Sequence, residues 1–118
     1  MLALSGHNRF YLYAQATDMR KSFDGLCGVV TSGLGRDPTS GDVYVFINRR
    51  RDRMKLLVWD RSGFWLFYKR LEQGSFQLPA TPTSSLELPY ETLVMMIEGI
   101  DLAAGRRRRY QRLSSSLA

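Results

Sequence analysis

Cysteine and histidine are nearly absent: Cys27 and His7 are the only ones in the chain. That excludes a Cys/His zinc site and an internal disulfide. A Cys–His nucleophile pair would need two residues far apart in sequence to meet through folding. No apolar run approaches the roughly 20 residues that span a bilayer. The opening MLALSGHNRF lacks a basic stretch followed by a long apolar core, so no secretory signal is expected and the chain reads as cytoplasmic. Neither GxGxxG nor a P-loop occurs, so a nucleotide cofactor has no support; no cofactor and no metal are expected. Lysine is scarce as well. Of 17 basic residues 14 are arginine, the side chain suited to bidentate contact with phosphate.

What is present is one domain's worth of an ordinary soluble chain: 118 residues, 44% hydrophobic and 24% charged. Its net charge of +6 is unevenly spread. Residues 106–112 read RRRRYQR, and outside 103–118 the basic and acidic residues number 12 and 11. The body is therefore close to neutral. A run of like charges with no apolar face does not fold by itself. The expected organisation is a domain over 1–102 followed by a basic, unstructured tail over 103–118. Within the body, cations gather at Arg49, Arg50, Arg51, Arg53 and Lys55, with a smaller pair at Lys69 and Arg70.

Hydrophobic spacing predicts the elements. FYLYA at 10–14 reads as a short strand. Met19, Phe23, Leu26, Cys27 and Val30 form one face of a helix over 18–32, with Asp18 as its N-cap and Gly33 and Gly35 closing it. Residues 42–48, 53–60, 64–72 and 76–78 read as consecutive strands joined by short turns, a meander. Residues 79–86 read as a Pro/Ser/Thr loop. A second helix is expected over 89–100, with Pro89 at its start. The fold class is α+β: a mostly antiparallel sheet of four or five strands with two helices. Both faces of the strands are apolar, so one face is expected to take a helix. The other needs the second helix, a partner or a ligand.

Two basic features point to a polyanion. A β-ribbon with an RRRDRMK tip can place guanidinium groups on the phosphates of a duplex. An arm carrying Arg106, Arg107, Arg108, Arg109 and Arg112 adds sequence-independent, salt-sensitive affinity. The bland readings are a solvated turn and a tail that keeps the chain soluble. Tyr44, Phe46, Trp59, Phe64, Trp65, Phe67 and Tyr68 could stack bases, but aromatics in strands are chiefly core, and core is the favoured reading. Asp18, Asp24, Asp42, Asp60 and Glu72 have cheaper explanations than a two-metal site. Asp18 caps a helix, Asp42 and Asp60 end strands, and Glu72 pairs with Lys69 or Arg70. Cys27 reads as core.

The runs TDMRKSFDGL (17–26), DPTSGDVYVFINRRRDRMKLLVWDRSGFWLFYKRLEQGSF (37–76) and ELPYETLVMMIEGID (87–101) carry a resemblance in order and spacing. Residues about 2–102 resemble the small second-frame accessory proteins, often called TnpB, of the insertion-sequence-sixty-six transposon family of bacteria. Typical members have Gly where this chain has Ser22 and Arg51. The resemblance implies a non-catalytic role beside the element's transposase, a separate and longer chain, in DNA transposition. It brings no catalytic or metal residues to carry across. The expected function is accessory DNA binding through Arg49, Arg50, Arg51, Arg53, Lys55, Lys69, Arg70 and the arginine arm. The rival is an interaction module that docks the transposase, or a second copy of the chain, through an apolar sheet face. No membrane partner is expected; DNA-bound protein would lie with the nucleoid.

Overall fold

The computed structural model describes residues 4, 7–79 and 85–99, with the backbone alone at 85 and 86. The arginine arm and the end of the second predicted helix at residue 100 lie outside these residues, as does 80–84 of the predicted loop. The chain forms β1 (Phe10–Tyr13), α1 (Phe23–Gly33), β2 (Val43–Ile47), β3 (Arg53–Asp60), β4 (Gly63–Arg70), β5 (Ser85–Leu88) and α2 (Tyr90–Glu98). The α+β class holds. The five strands lie in the order β4-β3-β2-β1-β5.

The meander is correct for β2, β3 and β4, which pair antiparallel through short turns. It fails for β1, which pairs parallel to β2. The stretch between β1 and β2 contains α1, and a helical crossover is what lets two strands run the same way. β1 pairs antiparallel with β5 on its other side. The predicted strand over 76–78 is not a strand. Phe76 is instead a buried plug, 1% exposed, whose N–H donates to the Arg51 carbonyl at 2.6 Å. The fifth strand comes from 85–88, whose first residues had read as loop.

The strands alternate between two cores. Phe10, Leu12, Val43, Val45, Ile47, Met54, Leu56 and Val58 face Leu93 and Met96 of α2 together with Phe76. Tyr11, Tyr44, Phe46 and Leu57 face Leu26 and Val30 of α1. The second apolar face is thus covered by the second helix, which is why all five residues of β2 are buried. The Trp59 and Phe64 rings meet edge to face at 5.0 Å.

The first helix begins at Phe23, not at residue 18. Asp18 closes a turn instead: its carboxylate accepts the Arg20 N–H at 2.9 Å, and its carbonyl accepts the Lys21 N–H at 3.1 Å. The Lys55 ammonium donates to the carbonyls of Met19 and Lys21, each at 2.7 Å. Those carbonyls would otherwise carry the first helical bonds, so the helix starts only after them. At its other end Gly33 lies against Tyr13, where an added Cβ would meet the ring at 2.8 Å. Gly99 closes α2 in the left-handed region, φ 76°.

Candidate nucleic-acid interface

The β2–β3 tip is a braced turn. The Asn48 side-chain carbonyl accepts from the N–H groups of Asp52 and Arg53, both at 3.0 Å, and its amide donates to the Asp52 carboxylate at 2.6 Å. The Arg51 N–H donates to the Asn48 carbonyl at 3.0 Å. The chain leaving β4 then stitches the tip from outside: Leu71 N–H reaches the Asp52 carbonyl at 2.8 Å, and Phe76 N–H reaches that of Arg51. Such a turn holds its arginines on a fixed backbone.

Arg51 sits at φ 60°, in the left-handed region. Gly adopts that conformation without steric cost, and arginine does not. The apex therefore carries a cation on a strained backbone.

Arg49, Arg50 and Arg51 are exposed and Arg53 is half-buried. Arg70, exposed, stands directly opposite Arg53 on the β3–β4 ladder. Two basic stretches separated in sequence therefore meet at one end of the sheet. Like charges directly opposite on a ladder repel. Arg70 is balanced by Glu72 at 2.9 Å, the pairing expected for that acid, while the Arg53 guanidinium reaches the Tyr68 hydroxyl at 3.5 Å.

The two lysines behave differently. Lys55 is 6% exposed, its ammonium held by the two carbonyls and lying 4.7 Å from the Tyr68 ring centroid. Lys69 lies on the opposite face of β4 from Arg70 and donates to the Ile97 carbonyl at 2.6 Å, near the C-terminus of α2, where a cation is favoured. Both act within the fold, and neither presents its charge beside the tip. Their sequence proximity to arginines had grouped them with the phosphate contacts; burial and hydrogen bonding separate them.

The structure adds two cations. The Asp18–Lys21 turn lies alongside the tip, because Asp18 and Met19 line one depression with Asn48, Arg49 and Arg53. It brings up Arg20, whose side chain is 90% exposed, and Lys21, also exposed. Both fall within the helix expected over 18–32, off the apolar face read for it. The Arg20 guanidinium and N–H, bonded to Asp18, hold that carboxyl down at about 2.

The other acids are spread out. Asp42 pairs with Arg36 at 3.4 Å, and Asp60 accepts the Trp65 indole N–H at 3.1 Å. Among the described residues no group of three or more His, Cys, Asp or Glu is placed to hold a metal ion. Cys27 packs at the edge of the α1 core, and burial, with the Asp24 charge, pushes its thiol pKa up. Also among the described residues, no helix is long and apolar enough to cross a membrane.

The aromatics divide. Tyr44 and Phe46 are fully buried, as the core reading expects. Trp65, Phe67 and Tyr68 on β4 are exposed by 44%, 37% and 52%. They depart from that reading because, among the described residues, β4 is a sheet edge with a neighbour on one side only.

Comparison with known proteins agrees with the sequence resemblance. The family described as IS66 Orf2 like protein matches residues 8–107. "Uncharacterized protein y4jC" of Sinorhizobium fredii is 33% identical over 95% of this chain and 96% of its own length. "Uncharacterized protein y4hO" of the same organism is 33% identical over 82% of this chain and 85% of its own. No solved structure matches.

Proposed function

Because the chain belongs to the IS66 Orf2-like family, we propose that it is a non-catalytic accessory factor in the transposition of a bacterial insertion sequence. In this role it binds DNA through the basic end of its sheet. The observation that carries the reading is the meeting of Arg53 and Arg70 across the ladder beside the braced Arg49–Arg51 tip. Guanidinium groups on a braced backbone suit bidentate contact with phosphates. Mutual repulsion among them falls when anions sit between them. Arg20 and Lys21 add to the set. Arg106–Arg109 and Arg112 add a second, sequence-independent attraction. The non-catalytic part is supported by the acids, which among the described residues form no group of three or more placed to hold a metal ion.

The test is a salt titration of duplex binding by fluorescence anisotropy, on the full chain and on one ending at residue 105. Log affinity should fall linearly with log salt. Removing the arm should flatten the slope by up to about 4 to 5, roughly 0.9 for each arginine that meets a phosphate. Residual salt-dependent binding by the shortened chain then belongs to the sheet end. No binding by the full chain at low salt overturns the reading. Co-purification with the transposase without DNA binding would favour the docking alternative.

A further inference from the structure

Among the described residues, β4 is the long edge of the sheet with no strand on its outer side. The other edge, β5, is short and runs into Pro89, features that blunt an edge against further pairing. β4 has neither: its eight residues contain no proline, and 63–68 (GFWLFY) carry no charge. Bonded and non-bonded pairs alternate along an antiparallel ladder. The Leu71 N–H to Asp52 carbonyl bond sets the phase. Odd-numbered residues of β4 therefore turn their main-chain groups toward β3, and Phe64, Leu66, Tyr68 and Arg70 turn theirs outward.

We propose that this edge pairs with the same edge of a second copy, antiparallel, about a two-fold axis at Leu66. The register is self-complementary. Leu66 bonds to Leu66 and Phe64 to Tyr68, all with outward main-chain groups. Trp65 then stands opposite Phe67 of the second copy, and Phe67 opposite its Trp65, at non-bonded positions where side chains approach most closely. Both rings project on the α2 face, and Phe67 already lines an apolar groove of about 230 Å³ with Leu56, Met54 and Ile97. Each Trp65 thus lands beside the other copy's groove.

Charge selects this occupant. The antiparallel arrangement separates the two Lys69–Arg70 ends by the length of the strand and sets each beside the other copy's turn, where Asp60 and Arg61 cancel, whereas a parallel one would stack them. The uncharged stretch offers nothing to a polyanion. With 12 basic and 11 acidic residues in 1–102, two bodies do not repel. The inference does not rest on the DNA reading, since it is argued from the uncharged 63–68 stretch of the edge.

Sedimentation velocity of the full chain at high salt, where adventitious nucleic acid is screened off, should show a concentration-dependent dimer. Two double variants test the register: Trp65→Lys with Phe67→Lys, and Trp65→Glu with Phe67→Glu. Each alone should be a folded monomer by circular dichroism and sedimentation, and an equimolar mixture should form a heterodimer. Independently, Tyr68→Pro, which removes an outward N–H from an exposed edge residue, should weaken dimerisation about tenfold or more. A monomeric wild-type chain overturns the proposal. So does a dimer that persists in the folded charged variants, or a mixture that stays monomeric.

Discussion

Arg53 and Arg70 occupy facing positions on adjacent antiparallel strands, two cations where a ladder ordinarily favours opposite charges. One has Glu72 beside it and the other a tyrosine hydroxyl. Replacing both with Gln should leave thermal stability unchanged or raise it by a few tenths of a kcal/mol, since repulsion is relieved. DNA affinity should fall, and the salt slope should shrink by up to about 2. Melting and anisotropy on the same variant read both effects. A loss of stability with an unchanged slope would assign the pair to the fold alone.

Lys55 should behave in the opposite way. Lys55→Met keeps most of the packing stem but leaves the carbonyls of Met19 and Lys21 without their donor. Removing the ammonium also removes its desolvation cost, so the net loss should be about 1–3 kcal/mol. Urea unfolding measures it. In the folded variant the salt slope should match the parent's, because this cation does not face solvent.

Arg51→Gly separates strain from charge. Relief of the left-handed backbone at φ 60° should stabilise the chain by up to about 1 kcal/mol. Loss of the apical guanidinium should lower the salt slope by about 1. Opposite signs in melting temperature and affinity are the expected outcome.

Asn48→Ala removes the side chain that closes the tip. Its three hydrogen bonds go to groups that are partly buried, and water replaces them incompletely. The expected loss is about 1–2 kcal/mol in chemical denaturation. DNA affinity should drop although no cation is removed, because the arginines then need ordering on binding.

Acid should act through Asp18. Its folded-state pKa of about 2 lies below the model-peptide value of 3.8. The Asp18–Arg20 contact therefore contributes stability that is complete above pH 3.8 and disappears as pH falls through about 2. A carboxyl-carbon NMR titration should place the Asp18 midpoint near 2. Asp18→Asn should flatten the stability profile over that window.

The legible parts of this protein were those written in local pattern. Period-two alternation located β2, β3 and β4, and their short turns set their pairing. The place of β1 was not legible, since a strand's partner across a helical crossover depends on the whole sheet. The start of α1 was misread because Asp18 has a cap's chemistry. What moved the boundary was an ammonium from Lys55, far along the chain. The same long-range bonds explain why the site was only partly readable. The RRR tip is visible as composition. That Lys55 and Lys69 turn inward, and that Arg20 and Lys21 come alongside, is settled by packing between distant segments. The exposure of Trp65, Phe67 and Tyr68 follows from edge position, which strand order alone determines.

The placement of β1 also dictates an order of assembly. It precedes both of its neighbours in the chain, 43–45 and 85–88. Between the synthesis of β2 and that of β5, β1 has an unpaired side. Pairing across such sequence separation is slow and leaves edges open meanwhile. A nascent chain stopped before residue 85 would therefore expose one side of β1 and be prone to aggregate, and only translation past Leu88 closes the sheet on that side.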